Sequence, residues 1–377
     1  LAQHTKLFKE TAEHHPLPFK PYPHNANFEL DLHKPYIDGV VLTCEKCGND
    51  MRRTPEVMDV WFDSGAMPFA QDHYPFEHER YIDKEGFPAD YICEAVDQTR
   101  GWFYTLHAIG VLSGKGHAYK NVVCLGHILD GQGKKMSKSV GNVVNPWEAI
   151  GKWGVDTIRF WMFSVNQPGD TKNFDEKTIG EVNNKVFTLL RNVAKFYQMN
   201  TEHGTRNTEG INPHESEHVL DQWILALLGE LVASVTTSMD TYDMFSATRS
   251  IREFANDLST WYVRRSRDRF KPETQMNADR EYALVTFRFV LLELSKLLAP
   301  FTPFFAEEIY KQVGGEKESV HLEDWPTHTT HHAPHILEDM NEVRRIVSLA
   351  LEARTNAGIK VRQPLAQLKI RNPKSEI

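Results

Sequence analysis

The stretch YICEAVDQTRGWFYTLHAIGVLSGKGHAYKNVVCL, residues 91–125, decides the fold. It begins with the apolar run Tyr91-Ile92-Cys93 and ends with Val122-Val123-Cys124-Leu125, and both runs are typical of strands buried in a parallel sheet. Between them, the segment from Gly101 to Leu112 places its apolar residues at helical spacing. A strand, a helix and a strand within these 35 residues predict a βαβ unit, and therefore a doubly wound α/β sheet.

The composition is that of a folded globular protein. The chain has 377 residues, of which 41% are hydrophobic and 25% charged, so a wholly disordered or fibrous protein is excluded. The net charge of −8 argues against indiscriminate nucleic-acid binding but allows a local basic face. The sequence has no long apolar run typical of a membrane span and no apolar signal core at its start. Four cysteines are too few for a disulfide scaffold, which predicts a reducing compartment such as the cytoplasm. The lack of an apolar span predicts that the protein does not associate with a membrane.

Changes in composition and in the spacing of apolar residues divide the chain into five predicted segments. Residues 1–56 are irregular and rich in His, Pro and Lys, and they read as the tail of an insertion or connecting region. Residues 57–135 carry the α/β pattern, and residues 136–182 form a mixed linking region. Residues 183–340 are overwhelmingly helical in pattern, and residues 341–377 form a carboxyl-terminal junction.

Apolar stripes at helical spacing predict an antiparallel helical bundle from residue 183 onward. The three clearest stripes are Trp223, Ile224, Leu227, Leu228, Leu231 and Val235; then Ala247, Ile251, Phe254, Leu258 and Trp261; and then Leu284, Phe287, Leu291, Leu294 and Leu298. Pro300 should end the third helix, and Thr302-Pro303 should begin the next one. Upstream, Asn145-Pro146 predicts a capped helix start, and Asp156 is a candidate cap for a second helix.

The strongest local signal is the lysine loop, which we define as Gly131-Gln132-Gly133-Lys134-Lys135-Met136-Ser137-Lys138-Ser139. Its two glycines allow a hinge, and its three lysines are compact charges suited to a polyphosphate. By charge pattern alone, a solvated basic turn is the favoured interpretation of the loop.

Five residues of this loop carry a resemblance to a known family. Lys135-Met136-Ser137-Lys138-Ser139 matches the second signature of the class I aminoacyl-tRNA synthetases at every position. The flanking blocks Asp59-Val60-Trp61-Phe62-Asp63-Ser64-Gly65, Glu94-Ala95-Val96-Asp97-Gln98-Thr99-Arg100-Gly101-Trp102-Phe103 and Gly126-His127-Ile128-Leu129-Asp130 resemble those of the isoleucyl-tRNA synthetases. Blocks near both ends, Pro35-Tyr36-Ile37-Asp38 and Ile359-Lys360-Val361-Arg362-Gln363-Pro364-Leu365, extend the resemblance over nearly the whole chain.

The resemblance implies a fold and an activity. The fold would be the second half of a Rossmann-type parallel sheet in residues 57–135, a lysine-loop and stem-contact region in 136–182, and a helical anticodon-binding bundle in 183–340. The activity would be the ATP- and Mg²⁺-dependent formation of isoleucyl-adenylate, followed by transfer of the isoleucyl group to tRNA(Ile). Because the pyrophosphate gains charge as it leaves, loop lysines stabilise the transition state more than the ground state. Lys138 is the first candidate for this role, followed by Lys135, with Ser137 beside them.

The resemblance also assigns binding residues. Nucleotide and adenylate contacts would come from Glu94, Asp97, Gln98, Gly126, His127, Ile128, Met136 and Ser139. Trp61 and Trp102 would be the two aromatic walls around the isoleucine side chain, although a single Trp is more often ordinary core. The other class I signature, His-x-Gly-His, is absent from the 377 residues. We therefore expect the chain to be the carboxyl-terminal part of the enzyme's body, without the first Rossmann half and the editing domain, and inactive by itself.

The cysteines suggest half a metal site. Cys44 and Cys47 have the Cys-x-x-Cys spacing of two zinc ligands, and in relatives an upstream cysteine pair completes the set. A Zn²⁺ ion is therefore a possible cofactor with half of its ligands in this chain. Cys93 and Cys124 lie in predicted strands, and we expect both to be buried hydrophobes.

A basic segment of the helical region is the candidate RNA contact. Residues 261–271 contain four arginines and a lysine against one aspartate, with Trp261 at the start. Arg264, Arg265 and Arg267, which we call the arginine face, could grip the phosphate backbone of tRNA. The alternative is a buried Trp261 with the arginines paired to acids such as Glu253 and Asp257.

Two rival functions remain open on the sequence. One is a non-catalytic tRNA-binding module that keeps the synthetase fold, and the other is a neighbouring synthetase, of which the valyl enzyme is the nearest. The expected partners are tRNA(Ile), isoleucine and ATP, and the expected state is a monomer.

Overall fold

The computed structural model of the protein describes residues 23–27, 29–56, 59–201, 210–271, 278–327 and 335–369. Residues 1–22 of the first predicted segment therefore lie outside the described residues. The chain divides into two compact units, each with its own contacts. The first unit contains residues 1–92 and 97–121, and the second contains residues 93–96 and 122–377.

The first unit is built from a β-hairpin and two packed helices. Its elements are the antiparallel strands β1 (Val41–Thr43) and β2 (Asp50–Arg52), the helices α1 (Val60–Ala70), α2 (Glu79–Tyr81) and α3 (Trp102–Leu112), and a π-helical turn at Ile82–Gly86. The helices α1 and α3 approach so closely at Gly65 that a methyl group there would lie 2.8 Å from the Thr105 backbone. Phe69, Ile82, Phe103 and Leu106 form the buried core of this unit.

The strand–helix–strand order predicted for residues 91–125 is confirmed. Strand β3 (Ala89–Ala95) and strand β4 (Tyr119–Leu125) flank α3 and pair into a two-stranded sheet. The Ala89 N–H donates to the Ala118 carbonyl at 3.0 Å, so the two strands start side by side, as parallel strands do. The predicted burial is wrong, because each strand has only one paired neighbour among the described residues. Within β3, Ile92 alone is buried.

The second unit begins with a short sheet and two helices. Strand β5 (Ile128–Leu129) pairs in parallel with β6 (Lys172–Asn173), and the helices α4 (Pro146–Trp153) and α5 (Val155–Ser164) lie between them in sequence. Asn145 caps α4 as predicted, since its side chain accepts from the Trp147 N–H at 3.0 Å. The predicted cap at Asp156 is wrong. Asp156 is buried in the first turn of α5, where its carboxylate accepts from the Phe305 N–H at 2.6 Å.

A helical body makes up the rest of the second unit. Its helices are α6 (Glu176–Val182), α7 (Leu189–Thr201), α8 (Val219–Asp240), α9 (Met244–Asp257), α10 (Arg264–Ser266), α11 (Ala278–Leu298), α12 (Pro303–Gln312) and α13 (His335–Asn356). A π-helical turn at Asn183–Thr188 joins α6 to α7, and another at Leu258–Val263 joins α9 to α10. The predicted helix end at Pro300 and restart at Thr302-Pro303 are confirmed by the bounds of α11 and α12.

The predicted apolar stripes form one continuous core. Every stripe residue of α11 is at most 1% exposed. The stripe on α8 and the stripe that runs from α9 into the following π-helical turn are buried except for the half-buried Leu227 and Trp261. The helix α8 is also the one described helix long and apolar enough to suit a membrane span, but ten of its residues are buried, eight of them in this core. We therefore assign α8 as a core helix.

Candidate functional site

The two predicted pocket tryptophans lie at neighbouring positions in the first unit. Trp61 is in the first turn of α1, and Trp102 begins α3 and donates its indole N–H to the Ser64 carbonyl at 3.1 Å. The ring of Trp61 lies against Gly101, where an added methyl group would be 3.4 Å from its outer edge. Trp61 is 42% exposed, so it is not ordinary core, and Trp102 is half-buried. An aromatic surface at this end of the helix pair remains accessible.

Gln98 ties the predicted polar contacts to the same place. It lies in the 3₁₀ turn Val96–Arg100, and its side-chain oxygen accepts from the Trp102 N–H at 2.9 Å. Its amide nitrogen donates to the Asp97 carboxylate at 3.3 Å. The structure thus brings Asp97, Gln98, Trp61 and Trp102 together, with the Asp97 side chain exposed.

Glu94 and the two strand cysteines belong to the second unit. Glu94 is exposed on β3. The expectation that Cys93 and Cys124 are buried is wrong, since Cys93 is exposed and Cys124 is half-buried. Partial burial, and then the neighbouring Glu94, raise the pKa of the Cys93 thiol. Both cysteines keep solvent access because, among the described residues, no further strand pairs with β3 or β4.

The segment Gly126–Ile128, which we call the nucleotide segment after its predicted role, is held by backbone contacts. Its Gly126 N–H donates to the Pro168 carbonyl at 2.9 Å, and its His127 carbonyl accepts from the Lys172 N–H at 2.9 Å. A methyl group at Gly126 would lie 2.3 Å from the Asp170 carbonyl oxygen, so only glycine fits there. Ile128 then pairs with Lys172 in the β5–β6 ladder, and the His127 side chain is half-buried.

Two residues that we did not predict as functional fasten the ends of the lysine loop. Asp130 accepts from the backbone N–H groups of Gln132 and Lys134, at 3.0 and 2.8 Å. The Asn142 amide donates to Asp130 at 2.9 Å and to the Lys135 carbonyl at 3.1 Å, and its oxygen accepts from the Ser137 N–H at 2.9 Å. Asn142, followed by these backbone donors, lowers the pKa of Asp130. The signal in the sequence was an Asp directly before a Gly-x-Gly turn.

The lysines of the loop are presented to solvent. Lys134, Lys135 and Lys138 are all exposed, and none of them makes an ion pair within the part of the chain that the structure describes. Met136 and Ser137 are half-buried, and the hydroxyls of Ser137 and Ser139 lie 2.6 Å apart. Three unpaired ammonium groups on a fastened loop can bind a polyphosphate without first breaking a salt bridge.

The arginine face is accessible. Arg264, Arg265 and Arg267 are exposed, and none of the three forms an ion pair with a described residue. The Arg265 guanidinium lies 5.3 Å from the centre of the Trp261 ring, and that of Arg267 lies 5.7 Å from the Phe196 ring. The alternative pairing fails for Asp257, which binds Arg344 instead.

The pair Cys44 and Cys47 lies in the turn of the β1–β2 hairpin. The Cys44 N–H donates to the Asn49 carbonyl and the Gly48 N–H to the Cys44 carbonyl, each at 2.8 Å. The N–H groups of Cys47 and Lys46 point at the Cys44 sulfur and lower its pKa, which favours the thiolate that a metal needs. Across the described residues, no group of three or more His, Cys, Asp or Glu side chains is placed to hold a metal ion. The hairpin therefore brings two cysteines into one turn, and no further ligand joins them among the described residues.

Sequence comparison matches the chain to two protein families. The family described as "tRNA synthetases class I (I, L, M and V)" matches residues 23–175. The family described as "Anticodon-binding domain of tRNA ligase" matches residues 221–370.

Curated relatives of high similarity are isoleucine–tRNA ligases. One from Dehalococcoides mccartyi (strain ATCC BAA-2266 / KCTC 15142 / 195) is 46% identical over 354 residues, which cover 91% of this chain and 34% of the relative. One from Bacillus thuringiensis (strain Al Hakam) is 45% identical over 345 residues, covering 90% of this chain and 32% of the relative. The chain thus spans about a third of the length of the curated relatives it matches.

Solved structures share the fold. A leucyl-tRNA synthetase of Agrobacterium radiobacter K84 (agnB2), solved with tRNA and LeuAMS, has a TM-score of 0.58 at 21% identity over 79% of this chain and 36% of its own. Mycobacterium tuberculosis methionyl-tRNA synthetase, solved with methionyl-adenylate, has a TM-score of 0.56 at 21% identity over 73% of this chain and 60% of its own. The predicted fold, part of a Rossmann-type domain followed by a helical anticodon-binding bundle, is confirmed. The chain therefore carries a class I tRNA synthetase domain followed by an anticodon-binding domain of the tRNA ligases.

Proposed function

We propose that the chain works in an isoleucine–tRNA ligase, which activates isoleucine with ATP and transfers it to tRNA(Ile). The observation that carries this proposal is the lysine loop with the full family signature, its ends fastened by Asp130 and Asn142 and its lysines exposed. The identity of the curated relatives supports isoleucine as the amino acid.

The lysine loop would supply the charge stabilisation for adenylate formation. The isoleucine carboxylate attacks the α-phosphorus of ATP, the bond to the pyrophosphate breaks, and negative charge grows on the departing group. Lys138 and Lys135 would meet that charge. Because neither lysine pairs with a carboxylate among the described residues, their interaction with the phosphates can strengthen as the charge develops. Ser137, Met136 and Ser139 would shape the loop around the phosphates. Bound Mg²⁺ would screen the phosphate charges.

The remaining predicted residues would hold the adenylate and the amino acid. Gly126, His127 and Ile128 would lie along the nucleotide, and the Glu94 and Asp97 carboxylates, with Gln98, would bind its ribose and the isoleucine ammonium group. Trp61 and Trp102 would pack against the isoleucine side chain, in keeping with the exposed ring of Trp61 and the hydrogen bonds that fix Trp102.

The division of roles along the chain follows the predicted segments. Residues 57–135 would contribute the second Rossmann half, 136–182 the lysine loop and stem contacts, and 183–340 the anticodon-binding domain, flanked by the connecting region 1–56 and the junction 341–377. Cys44 and Cys47 would supply two thiolate ligands to a structural Zn²⁺. We further propose that the ligase acts in the cytoplasm as a monomer without a membrane.

The arginine face would contact the phosphate backbone of tRNA. If so, Arg264→Ala and Arg267→Ala should each weaken tRNA binding and lower the slope of log affinity against log salt by about one unit. The matched control is Arg249→Ala, which changes an arginine on the neighbouring helix α9. An unchanged salt slope in both variants would remove the arginine face from the proposal.

Isoleucine-dependent exchange of pyrophosphate into ATP tests the activity. The complete gene product should catalyse it with isoleucine far better than with valine, and should then charge tRNA(Ile). The 377-residue chain alone should give no exchange, because it contains no His-x-Gly-His for the phosphates. Preference for valine would favour the valyl enzyme, and tRNA binding without any exchange by the complete product would indicate a non-catalytic module.

A further inference from the structure

Lys172 is a buried lysine without a carboxylate partner among the residues that the structure describes. It is 8% exposed, and its ammonium group donates to the carbonyls of Gln167 at 2.9 Å and Asp170 at 3.5 Å. Burial lowers its pKa. The Asp170 carboxylate opposes this lowering only in part. Burying an ammonium group whose direct acceptors are neutral carbonyls is costly, so we looked for a role that a leucine or methionine could not fill.

The carbonyls that hold Lys172 belong to a tight turn, Gln167–Asp170. The Asp170 N–H donates back to the Gln167 carbonyl at 3.0 Å, and the Asn166 amide donates to the Thr171 carbonyl at 2.9 Å. The Lys172 ammonium group thus bridges the carbonyls of the first and last residues of the turn and restrains the directions of both carbonyls.

The same turn also holds the nucleotide segment through backbone contacts. Pro168 accepts the Gly126 N–H, and the Asp170 backbone lies so close that it excludes any side chain at Gly126. The backbone of Lys172 completes these contacts, since its N–H donates to the His127 carbonyl and its residue pairs with Ile128. Lys172 therefore contacts the nucleotide segment through its main chain, and its side chain holds the turn Gln167–Asp170 that contacts the same segment.

We propose that Lys172 is a positioning residue for ATP: its buried ammonium group locks the turn Gln167–Asp170, and the turn fixes the nucleotide segment Gly126–Ile128. This inference rests on the proposed function, in which that segment lies along the nucleotide. Lys172 itself touches no substrate. It acts by keeping the backbone of Gly126 and His127 in one place before ATP arrives, so that ordering the segment does not oppose ATP binding.

Measuring KM for ATP and KM for isoleucine separately distinguishes a positioning role of Lys172 from a general loss of stability. Lys172→Met keeps the stem but removes the three donors, and in the complete gene product it should raise KM for ATP about tenfold while KM for isoleucine stays within about twofold. Asn166→Ala loosens the same turn and leaves the ammonium in place, so it should raise KM for ATP by a smaller factor of about three. Lys177→Met, which changes an exposed lysine five residues along, is the matched control and should alter neither constant.

Amide hydrogen exchange gives a readout that needs no activity. In the 377-residue chain without ligand, the Gly126 and Lys172 amides should exchange faster in Lys172→Met and Asn166→Ala than in the wild type, and at an unchanged rate in Lys177→Met. Unchanged exchange at Gly126 in both turn variants, or equal rises of KM for ATP and isoleucine, would overturn the inference. A third outcome is possible, in which the Gly126 amide exchanges faster in the turn variants but the complete gene product shows no isoleucine-dependent pyrophosphate exchange. That outcome would support the role of Lys172 in the turn and refute the proposed function.

Discussion

Charged side chains are used in opposite ways in the lysine loop and in the helical body of the same unit. In the loop, three lysines are exposed and unpaired within the described chain, and the loop is fastened by the Asp130 carboxylate, the Asn142 amide and backbone groups. In the helical body, Arg269 is nearly buried and donates two hydrogen bonds to the fully buried Asp221, at 2.7 and 2.8 Å, and others to Asp279.

The partners of a charge therefore indicate its role. Asp221 also accepts from Tyr262 at 2.9 Å and from Ser216 at 2.7 Å, so every charge in that network is satisfied inside the fold. A charge already paired in this way has little to offer a ligand, whereas an unpaired exposed charge adds little to stability and stays free for a substrate. Variants that remove one charge at a time test this contrast.

The largest effect is expected in the buried network. Arg269→Met leaves the Asp221 carboxylate buried without its cation, and we expect it to lower the free energy of unfolding by about 3–5 kcal/mol. Urea unfolding of the 377-residue chain, followed by circular dichroism, measures the loss. Arg264→Met is the control, since its arginine is exposed and makes no ion pair with a described residue, and it should change stability by less than about 0.5 kcal/mol. Equal losses of unfolding free energy in the two variants would contradict the contrast between buried paired charges and exposed unpaired charges.

The next effect is expected on catalysis and not on stability. Lys138→Ala should lower the rate of isoleucine-dependent pyrophosphate exchange by the complete gene product about 10²–10³-fold, because it removes a group that meets the developing charge. Its unfolding curve should match that of the wild type. Lys195→Ala, which changes an exposed lysine of α7, should leave the exchange rate unchanged. A Lys138 variant with full exchange activity would show that exposure alone does not mark a catalytic lysine.

A smaller effect is expected where the loop is fastened. Asn142→Ala removes three hydrogen bonds from the loop and keeps all its lysines, so exchange should fall about tenfold. The pKa of Asp130 should rise toward its ordinary value, since Asn142 is the main cause of its lowering, and carbon NMR of the carboxyl group measures it. Asn192→Ala on α7 is the control. A normal exchange rate with a shifted Asp130 pKa would mean that fastening the loop does not serve catalysis.

The smallest effect is expected at Glu307. Its carboxylate is partly exposed, so it lies between the buried Asp221 network and the exposed loop lysines. Its carboxylate binds Lys311 at 2.8 Å and accepts from the Val320 N–H and the Ser319 hydroxyl, which lower its pKa to about 2. A lowered carboxyl pKa contributes stability above the ordinary value of 4.5, and that contribution disappears as the pH falls toward 2.

Glu307→Gln should therefore lower the free energy of unfolding by about 1 kcal/mol at pH 7. The difference from the wild type should shrink between pH 4.5 and pH 2, as thermal unfolding at a series of pH values would show. Glu308→Gln is the neighbouring control, because Glu308 is half exposed and its ion pair with Arg191 is longer, at 3.5 Å. A difference that is constant with pH would mean that the charge of Glu307 does not matter.

Much of the fold could be predicted from residues 91–125 and from the stripes of the helical body. The helix from Trp102 to Leu112, the cap at Asn145 and the restart at Pro303 depend on spacing and on single residues within one or two turns, which the sequence displays directly. The lysine loop was recognised in the same way, from five adjacent residues. The functional roles assigned to it and to the other site residues stay predictions.

What the sequence by itself determined was therefore the order and type of the elements, because the period of a helix or a strand is set by the local backbone. The tertiary structure alone decided which charges are buried and what they bind. Asp156 binds the backbone of Phe305, 149 residues away, and Arg269 binds Asp221, 48 residues earlier in the chain. The Lys172 ammonium group binds a turn that no periodicity of the sequence predicts. Such partners depend on which faces of distant elements meet, and a local pattern contains no information about that meeting.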